Sequence, residues 1–431
     1  MPSILIVLFI ISIFIPVEFH VMAGSLRIEP YRMVLLVALL YSLMNIRRLL
    51  EQADLVDILL FMLLGLTFIS FAYNHSMQKA LESTGIYAIE TLGAFYLARL
   101  WIINPRRFYR VNLTFVAILG ILFAFGVYES FAQHRILHEW ATRLTGHESL
   151  DYRLNTHYYV RLGILRATNV FAHPILYGTI AALFFPFMVM LLRFSFRRRY
   201  LMGSIMLFST MMLTLSSAPL LSLVFQGLSA VLVRFWNRAQ RLWIAFAFVS
   251  IAAATFLQVF SNRGFLGILV SYLTFNPSTG YYRMLQWQYS MNDISNNLLF
   301  GIAHHDWHRP AWLSESIDSF WLLLVLQHGI IAGAVLFFIA FYSVFYFLNR
   351  LHLYHVYTRW MVSSWILAFT AMILIGFTVD FYGKLQPMFF LFLGAIGWAR
   401  HPDKVNQQLK TTIKTRITKR TKGRFDESKI R

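Results

Sequence analysis

Apolar residues fill this chain in long runs separated by short polar breaks. Stretches such as SILIVLFIISIFIPV at 3–17 and LVDILLFMLLGLTFISFAY at 55–73 carry almost no charge. Runs of roughly 17–25 apolar residues are what a hydrocarbon core of about 30 Å demands of a helix. Twelve candidate spans are expected, near 3–20, 31–46, 55–73, 83–103, 111–131, 174–192, 201–216, 219–234, 242–260, 320–348, 361–379 and 386–399. Two polar stretches interrupt this rhythm and are too long for turns, at 132–173 and 261–319. Loops of that length are usually functional. The first opens on HRILHEWATRL, whose Ile136, Leu137, Trp140 and Leu144 share one side of a helix. Such a helix either lies in a membrane interface with Trp140 as anchor or packs as a lid. The expected class is all-α, a polytopic membrane protein with a membrane domain over 1–399 and a basic tail over 400–431.

Composition supports that class and removes others. The chain is 58% hydrophobic and 13% charged, with a mean hydropathy of +0.59. It has no cysteine, which excludes disulfides and thiol chemistry. The first apolar run lacks a basic flank and a small-residue cleavage site, and it reads as a retained helix.

The net charge of +19 suggests nucleic acid until its distribution is followed. Eleven of the 38 Lys and Arg residues lie in the last 32 positions. Counting that tail, 26 fall in one alternating set of loops and helix ends, which includes Arg47-Arg48, Arg106-Arg107 and Arg197-Arg198-Arg199. The other set holds 12 across far more sequence. Cytoplasmic loops carry such an excess, so both termini are expected in the cytoplasm, and both long loops on the outer side. Partners are then membrane lipids, not nucleic acid.

The outer loops nevertheless contain recurring arginines, at 135, 143, 153, 161, 166, 263, 283 and 309. A guanidinium fork binds phosphate through two hydrogen bonds and stays charged. Several at a membrane surface suit a phosphate-bearing lipid, whereas any one alone more often meets a headgroup or a neighbouring acid. The cluster His304-His305-Asp306-x-His308 looks like metal ligands, but its spacing lacks a helix-borne pair and an obvious third ligand, so no metal is assigned. Trp307 and Trp312 read as interfacial anchors. Among acids near spans, Glu90 is expected to pair with Arg99 or another helix, and Asp380 with Lys384. Asp318, just before a long apolar run, reads either as a helix cap or as a general base beside arginines. Nucleotide-binding glycine loops and a GxSxG elbow are absent.

Three segments resemble the superfamily of O-antigen ligases and Wzy-type polysaccharide polymerases. RATNVFAHPILYG at 166–178 is similar to the segment that ends that family's large periplasmic loop. LTLSSAP at 213–219 is similar to its serine-containing hairpin. Arg283, Gly301, Asp318, Leu322 and Gly329 resemble its R…G…HNxxL…xxxG signature. Together they organise a core over 110–350. Two departures stand out: Ser217 occupies the place of the hairpin arginine, and Asp318 that of the signature histidine.

The resemblance implies a GT-C-like helical fold in the bacterial inner membrane and glycan transfer on the periplasmic face without metal or cofactor. The donor would be a glycan on undecaprenyl diphosphate, and a flippase and a chain-length regulator would be companions. Arg283 and Arg166 would hold the diphosphate, with Asp318 at the acceptor hydroxyl. Arg161, His173, Tyr282, Arg309 and Trp312 complete the expected substrate contacts. A polymerase joining lipid-linked repeats fits best. A ligase moving glycan to lipid A-core or another acceptor, and a non-catalytic transporter of lipid-linked sugars, are the alternatives.

Overall fold

A computed structural model describes residues 2–23, 26–147, 159–236 and 277–407. The expected span at 242–260, the arginines at 153 and 263, the first part of the second long loop and most of the basic tail lie outside these residues.

The described chain is helical, with only two short hairpins. In order come α1 (Pro2–Ile13), α2 (Pro30–Met44), α3 (Leu55–Asn74) and α4 (Met77–Ala88). The π-helical turn Ile89–Gly93 then leads into α5 (Ala94–Trp101). Next are α6 (Pro105–Ala132), α7 (Ile136–Thr145), α8 (Pro174–Phe194) and α9 (Arg198–Leu213), then α10 (Ser217–Trp236). The last four are α11 (Pro277–Asn296), α12 (Phe320–Arg350), α13 (Val356–Ile375) and α14 (Leu385–Ala395). Hairpin β1–β2 pairs Val21–Ala23 with Leu26–Ile28, and β3–β4 pairs Val160–Arg161 with Ile164–Leu165.

Local chemistry sets these boundaries. Asp54 and Asp57 form a reciprocal capping box at the start of α3. Asn104 caps α6 and His173 caps α8, each followed by proline at the first helical position. Six of the described helices, α3, α6, α8, α10, α12 and α13, are long and apolar enough to cross a membrane. Helices α1, α2 and α14 are apolar but shorter. The molecule is thus an all-α protein built to be embedded in a membrane.

Contacts between connections divide the bundle into two faces. On one, Glu18 meets His138 at 2.7 Å, Arg166 meets Ser216 at 2.6 Å, and the Phe320 amide donates to the Val379 carbonyl at 3.1 Å. On the opposite face Arg99 binds Asp54 at 2.5 Å and Asp57 at 2.9 Å, and Trp236 donates to Asn349 at 2.7 Å. The first face carries the described parts of both long polar stretches and is called the loop face.

Lipid tails are as apolar as leucine, so helix association inside a membrane rests on close packing and polar bonds. Phe115 stacks on Phe184 at 4.6 Å between α6 and α8. A Cβ on Gly394 would collide with the Phe95 carbonyl, so α14 and α5 pack backbone to backbone. Glu90 is buried against Tyr31 at 2.8 Å and Arg32 at 2.7 Å. Of its two expected partners, then, the other helix is the one observed. Arg99 reaches the opposite face, because Asp54 and Asp57 satisfy it there.

Helix α12 is broken at Gly329, where φ is +84° and ψ is 168°. The segment 298–303 fills the break. Ile302 and Ala303 donate their amides to the Leu326 and Gln327 carbonyls at 2.8 and 2.9 Å, and Ile330 donates to Leu298 at 2.8 Å. The backbone groups freed by the interruption are thus paired by the loop, as an apolar surrounding requires. Ser70 of α3 completes the joint, its hydroxyl lying 2.6 Å from the Phe300 carbonyl and 2.8 Å from that of Gln327.

Candidate functional site

The site grows from the end of α6. Glu129, buried near that end, accepts hydrogen bonds from the Thr168 amide at 3.0 Å, the Thr168 hydroxyl at 2.6 Å and the Asn169 amide at 2.8 Å. These bonds fix the backbone just after Arg166, with Asn169 held in the left-handed region at φ +58°. Arg166 is buried and turns to the α9–α10 turn. Its Nε donates to the Thr214 carbonyl at 3.0 Å and its Nη2 to Ser216 Oγ at 2.6 Å. Arg161 donates to the next carbonyl, Leu215, at 2.9 Å. Leu215 has φ +42°, unusual for a branched residue, and such strain concentrates at functional sites. The two segments quoted as 166–178 and 213–219 are therefore in direct contact.

Tyr159 is the hub of a cationic cluster. The guanidinium carbons of Arg135 and Arg166 lie 4.7 and 6.0 Å from its ring centre, and the His173 ring lies 5.8 Å away. His173 Nδ1 accepts from the Ile175 amide at 3.1 Å. Burial lowers the His173 pKa to about 3, and the positive charges of Arg166, Arg135, Arg283 and Arg161 push it the same way. The ring is therefore neutral at ordinary pH, in keeping with its role as an acceptor at Nδ1. The four arginines that act on it come from three parts of the sequence, and the fold brings them near the mouth of α8.

Two of the four have unused donors. Arg135 is buried, lies 3.6 Å from Glu129, and leaves Nε and Nη2 without hydrogen-bond partners. The Arg283 Nε is likewise buried and unbonded, 3.5 Å from an Asp318 carboxylate oxygen. Buried donors cost about 1–3 kcal/mol each when unmet. Pre-aimed guanidinium donors in a low-dielectric pocket are the equipment of an anion site.

Asp318 borders this cluster. Its amide donates to Gln286 Oε1 at 3.0 Å, and its side chain is 42% exposed. It does not cap α12. Ser319 does, accepting from the Leu322 amide at 3.3 Å, because the helix begins one residue later than a cap at Asp318 would require. The carboxylate is left free to face Arg283. The 376–381 segment runs alongside, and Asp380 follows the Val379 carbonyl that holds Phe320. Burial raises the Asp380 carboxyl to about 7; the Phe381 amide opposes this and the Asp318 charge reinforces it. The expected Asp380–Lys384 pair is not formed. Lys384 turns inward to the Ile15 and Val170 carbonyls, tying α14 to the first and third connections of the loop face.

Other residues expected at the site stand apart. Arg309 is engaged within its own loop by Asp306, by Glu315 at 3.5 Å and by the Leu313 carbonyl at 3.0 Å. The Tyr282 hydroxyl accepts from the Ser314 amide and braces the same loop. Trp312 is 62% exposed. Trp307 is buried and donates to the Glu315 carbonyl at 2.9 Å, so it is a core residue of the loop and not an interfacial anchor. The histidines diverge: His308 binds Asp293 at 2.6 Å, His305 lies 2.9 Å from the Asn74 carbonyl, and His304 packs on Phe71.

Sequence reasoning passed over Glu129 and gave Arg135 and Asp380 lesser roles. Glu129 did carry a signal, as an acid inside an expected span at 111–131. No protein-family model matches the chain, and no curated protein matches it.

Proposed function

We propose that the protein is a polytopic inner-membrane enzyme that joins oligosaccharide repeats carried on undecaprenyl diphosphate. The reading adopts twelve spans in a GT-C-like arrangement, with the loop face outside and both termini in the cytoplasm. The observation that carries it is the placement of Arg135, Arg161, Arg166 and Arg283 around His173, with the buried Arg135 Nη2 unbonded and the Nε atoms of Arg135 and Arg283 met only by ion pairs at 3.6 and 3.5 Å. A diphosphate ester supplies the acceptors such donors lack. It also leaves as an anion, so the same donors act most strongly as the bond breaks. The exposed Ile136, Trp140 and Leu144 on α7 support a membrane-surface position, since the buried side of that helix is formed by His138 and Ala141.

In the proposed reaction an acceptor sugar hydroxyl forms a bond to the donor's anomeric carbon. The anomeric carbon–oxygen bond to the diphosphate breaks, and its electron pair leaves on the diphosphate held by Arg283, Arg166 and Arg135. The hydroxyl proton passes to the Asp318 carboxylate, 3.5 Å from Arg283. His173, neutral, packs among the arginines without adding charge.

The test is polymer length in cells that make the glycan, with Arg283→Ala and Arg283→Lys compared at equal expression. Loss of long chains in the alanine variant, with partial recovery in lysine, is expected. Full-length polymer from both variants removes the phosphate role. Single repeats on the carrier mark a polymerase, whereas accumulated long chains on the carrier mark a ligase.

A further inference from the structure

A second recess opens beside the arginine cluster and has the opposite chemistry. It is a cavity of about 390 Å³ between α4 with its π-helical turn and the part of α12 that precedes the break. Its polar lining comes from Glu82, Asp380, Gln327, Gln386, His304 and His328. Among the described residues Lys79 is the one lysine or arginine in the lining, against the carboxyls of Glu82, Glu90 and Asp380. Glu90 is already committed to Tyr31 and Arg32. The cavity is thus ill suited to phosphate.

Two of the lining residues carry a buried polar atom without a partner. His328 is 4% exposed and its Nδ1 is unbonded, and the Tyr87 hydroxyl is buried and unbonded as well. Phe71 and Phe320 supply aromatic surface among these groups. Carboxylates and amides that accept, amides and a phenol that donate, and flat apolar faces between them match a sugar ring. Such a ring presents hydroxyls at its edge and C–H groups on its faces. The recess also adjoins the anion site. Phe320 lines it and stands two residues after Asp318, while Asp380 forms part of its wall.

We infer that this cavity is a saccharide-binding site, which receives the uncharged sugar of the acceptor chain and leaves the diphosphate to the arginines. The assignment of the sugar to an acceptor rests on the polymerase reading above; the binding of a saccharide by these walls does not.

The experiment uses the full chain in lipid nanodiscs and two probes. One is undecaprenyl diphosphate without sugar. The other is the repeat oligosaccharide freed from its lipid diphosphate by mild acid. The variants are Tyr87→Phe, which removes only an unpartnered hydroxyl, Tyr87→Phe with Gln386→Leu, and Arg283→Ala. Expected is an oligosaccharide affinity about tenfold weaker in the double variant, with undecaprenyl diphosphate binding unchanged. Arg283→Ala shows the reverse. Equal oligosaccharide affinity in wild type and double variant overturns the site, as does a wild type that binds no oligosaccharide. So does joint loss of both probes in Tyr87→Phe, which would mean that the two recesses are not separate. If the saccharide arm behaves as stated but undecaprenyl diphosphate binding ignores Arg283→Ala, the polymerase reading fails and the cavity stands.

Discussion

Replacing Gly329 with alanine tests whether the break in α12 holds the polar loop in place. The residue has φ +84° and ψ 168°, a region that essentially only glycine occupies, and forcing an L-residue there costs about 1–3 kcal/mol. A Cβ would also collide with the Leu299 carbonyl, so the loop must move away from the helix. That movement breaks the bonds from Ile302, Ala303 and Ile330, at 2.8, 2.9 and 2.8 Å. At about 1 kcal/mol net for each bond, the total reaches about 4–6 kcal/mol. With about 2–4 °C per kcal/mol, as for domains of 150–250 residues, the melting shift is on the order of 10 °C. Thiol-reactive dyes cannot report it, because the chain has no cysteine. A fluorescent-protein fusion, heated in detergent and followed by size-exclusion chromatography, can. The control is Gly65→Ala in α3, where a Cβ meets nothing within 4 Å. That variant is expected to be neutral or stabilised by up to about 1 kcal/mol. If the two variants melt alike, the joint does not carry the loop.

Three further outcomes follow from the site. Asp318→Asn is expected to leave thermal stability within about 0.5 kcal/mol, because Ser319 is the cap, while polymer synthesis falls sharply; normal polymer would show that the charge has no role. Arg135→Met removes two unbonded buried donors, each able to make a charge-assisted bond of about 1.5–3 kcal/mol, so undecaprenyl diphosphate should bind about 100-fold more weakly in equilibrium titration; unchanged affinity removes Arg135 from the site. Asp380 has a folded-state pKa of about 7 against an ordinary value of 3.8. Its neutral form therefore favours the fold below 3.8, and that contribution is lost as pH rises to about 7. Wild type should lose melting temperature relative to Asp380→Asn across that window and run parallel above it; parallel curves throughout would contradict the raised value.

The helices were legible because apolar length is a strong signal. Described helices overlie each expected segment outside 242–260, although six of them, not eleven, are long and apolar enough to cross a membrane. Arg166, Arg161 and Arg283 were legible as candidates because arginines recur in the two long polar stretches, and His173 because it lies in the quoted segment 166–178; the fold places them near one another. What escaped depended on tertiary geometry. Glycine at 329 sits in a run that reads as uninterrupted helix, and only the approach of 298–303 makes its freedom necessary. Lys384 lies four residues from Asp380, yet carbonyls from two distant connections outcompete the neighbouring acid. Trp307 has the composition of an anchor, but its indole finds a carbonyl eight residues on and is buried. Arg135 resembled other loop arginines in sequence; its burial beside Tyr159 singles it out.

Helix α7 has a consequence for depth. Arg135 is its N-cap residue, and its exposed stripe of Ile136, Trp140 and Leu144 follows directly. If α7 floats in the headgroup layer, the lipid sets the height at which that arginine sits. A thinner or thicker bilayer would then raise or lower one wall of the cationic cluster against the walls fixed by α8 and α12. Under the proposed reading, membrane thickness would then alter anion binding at those same guanidinium groups.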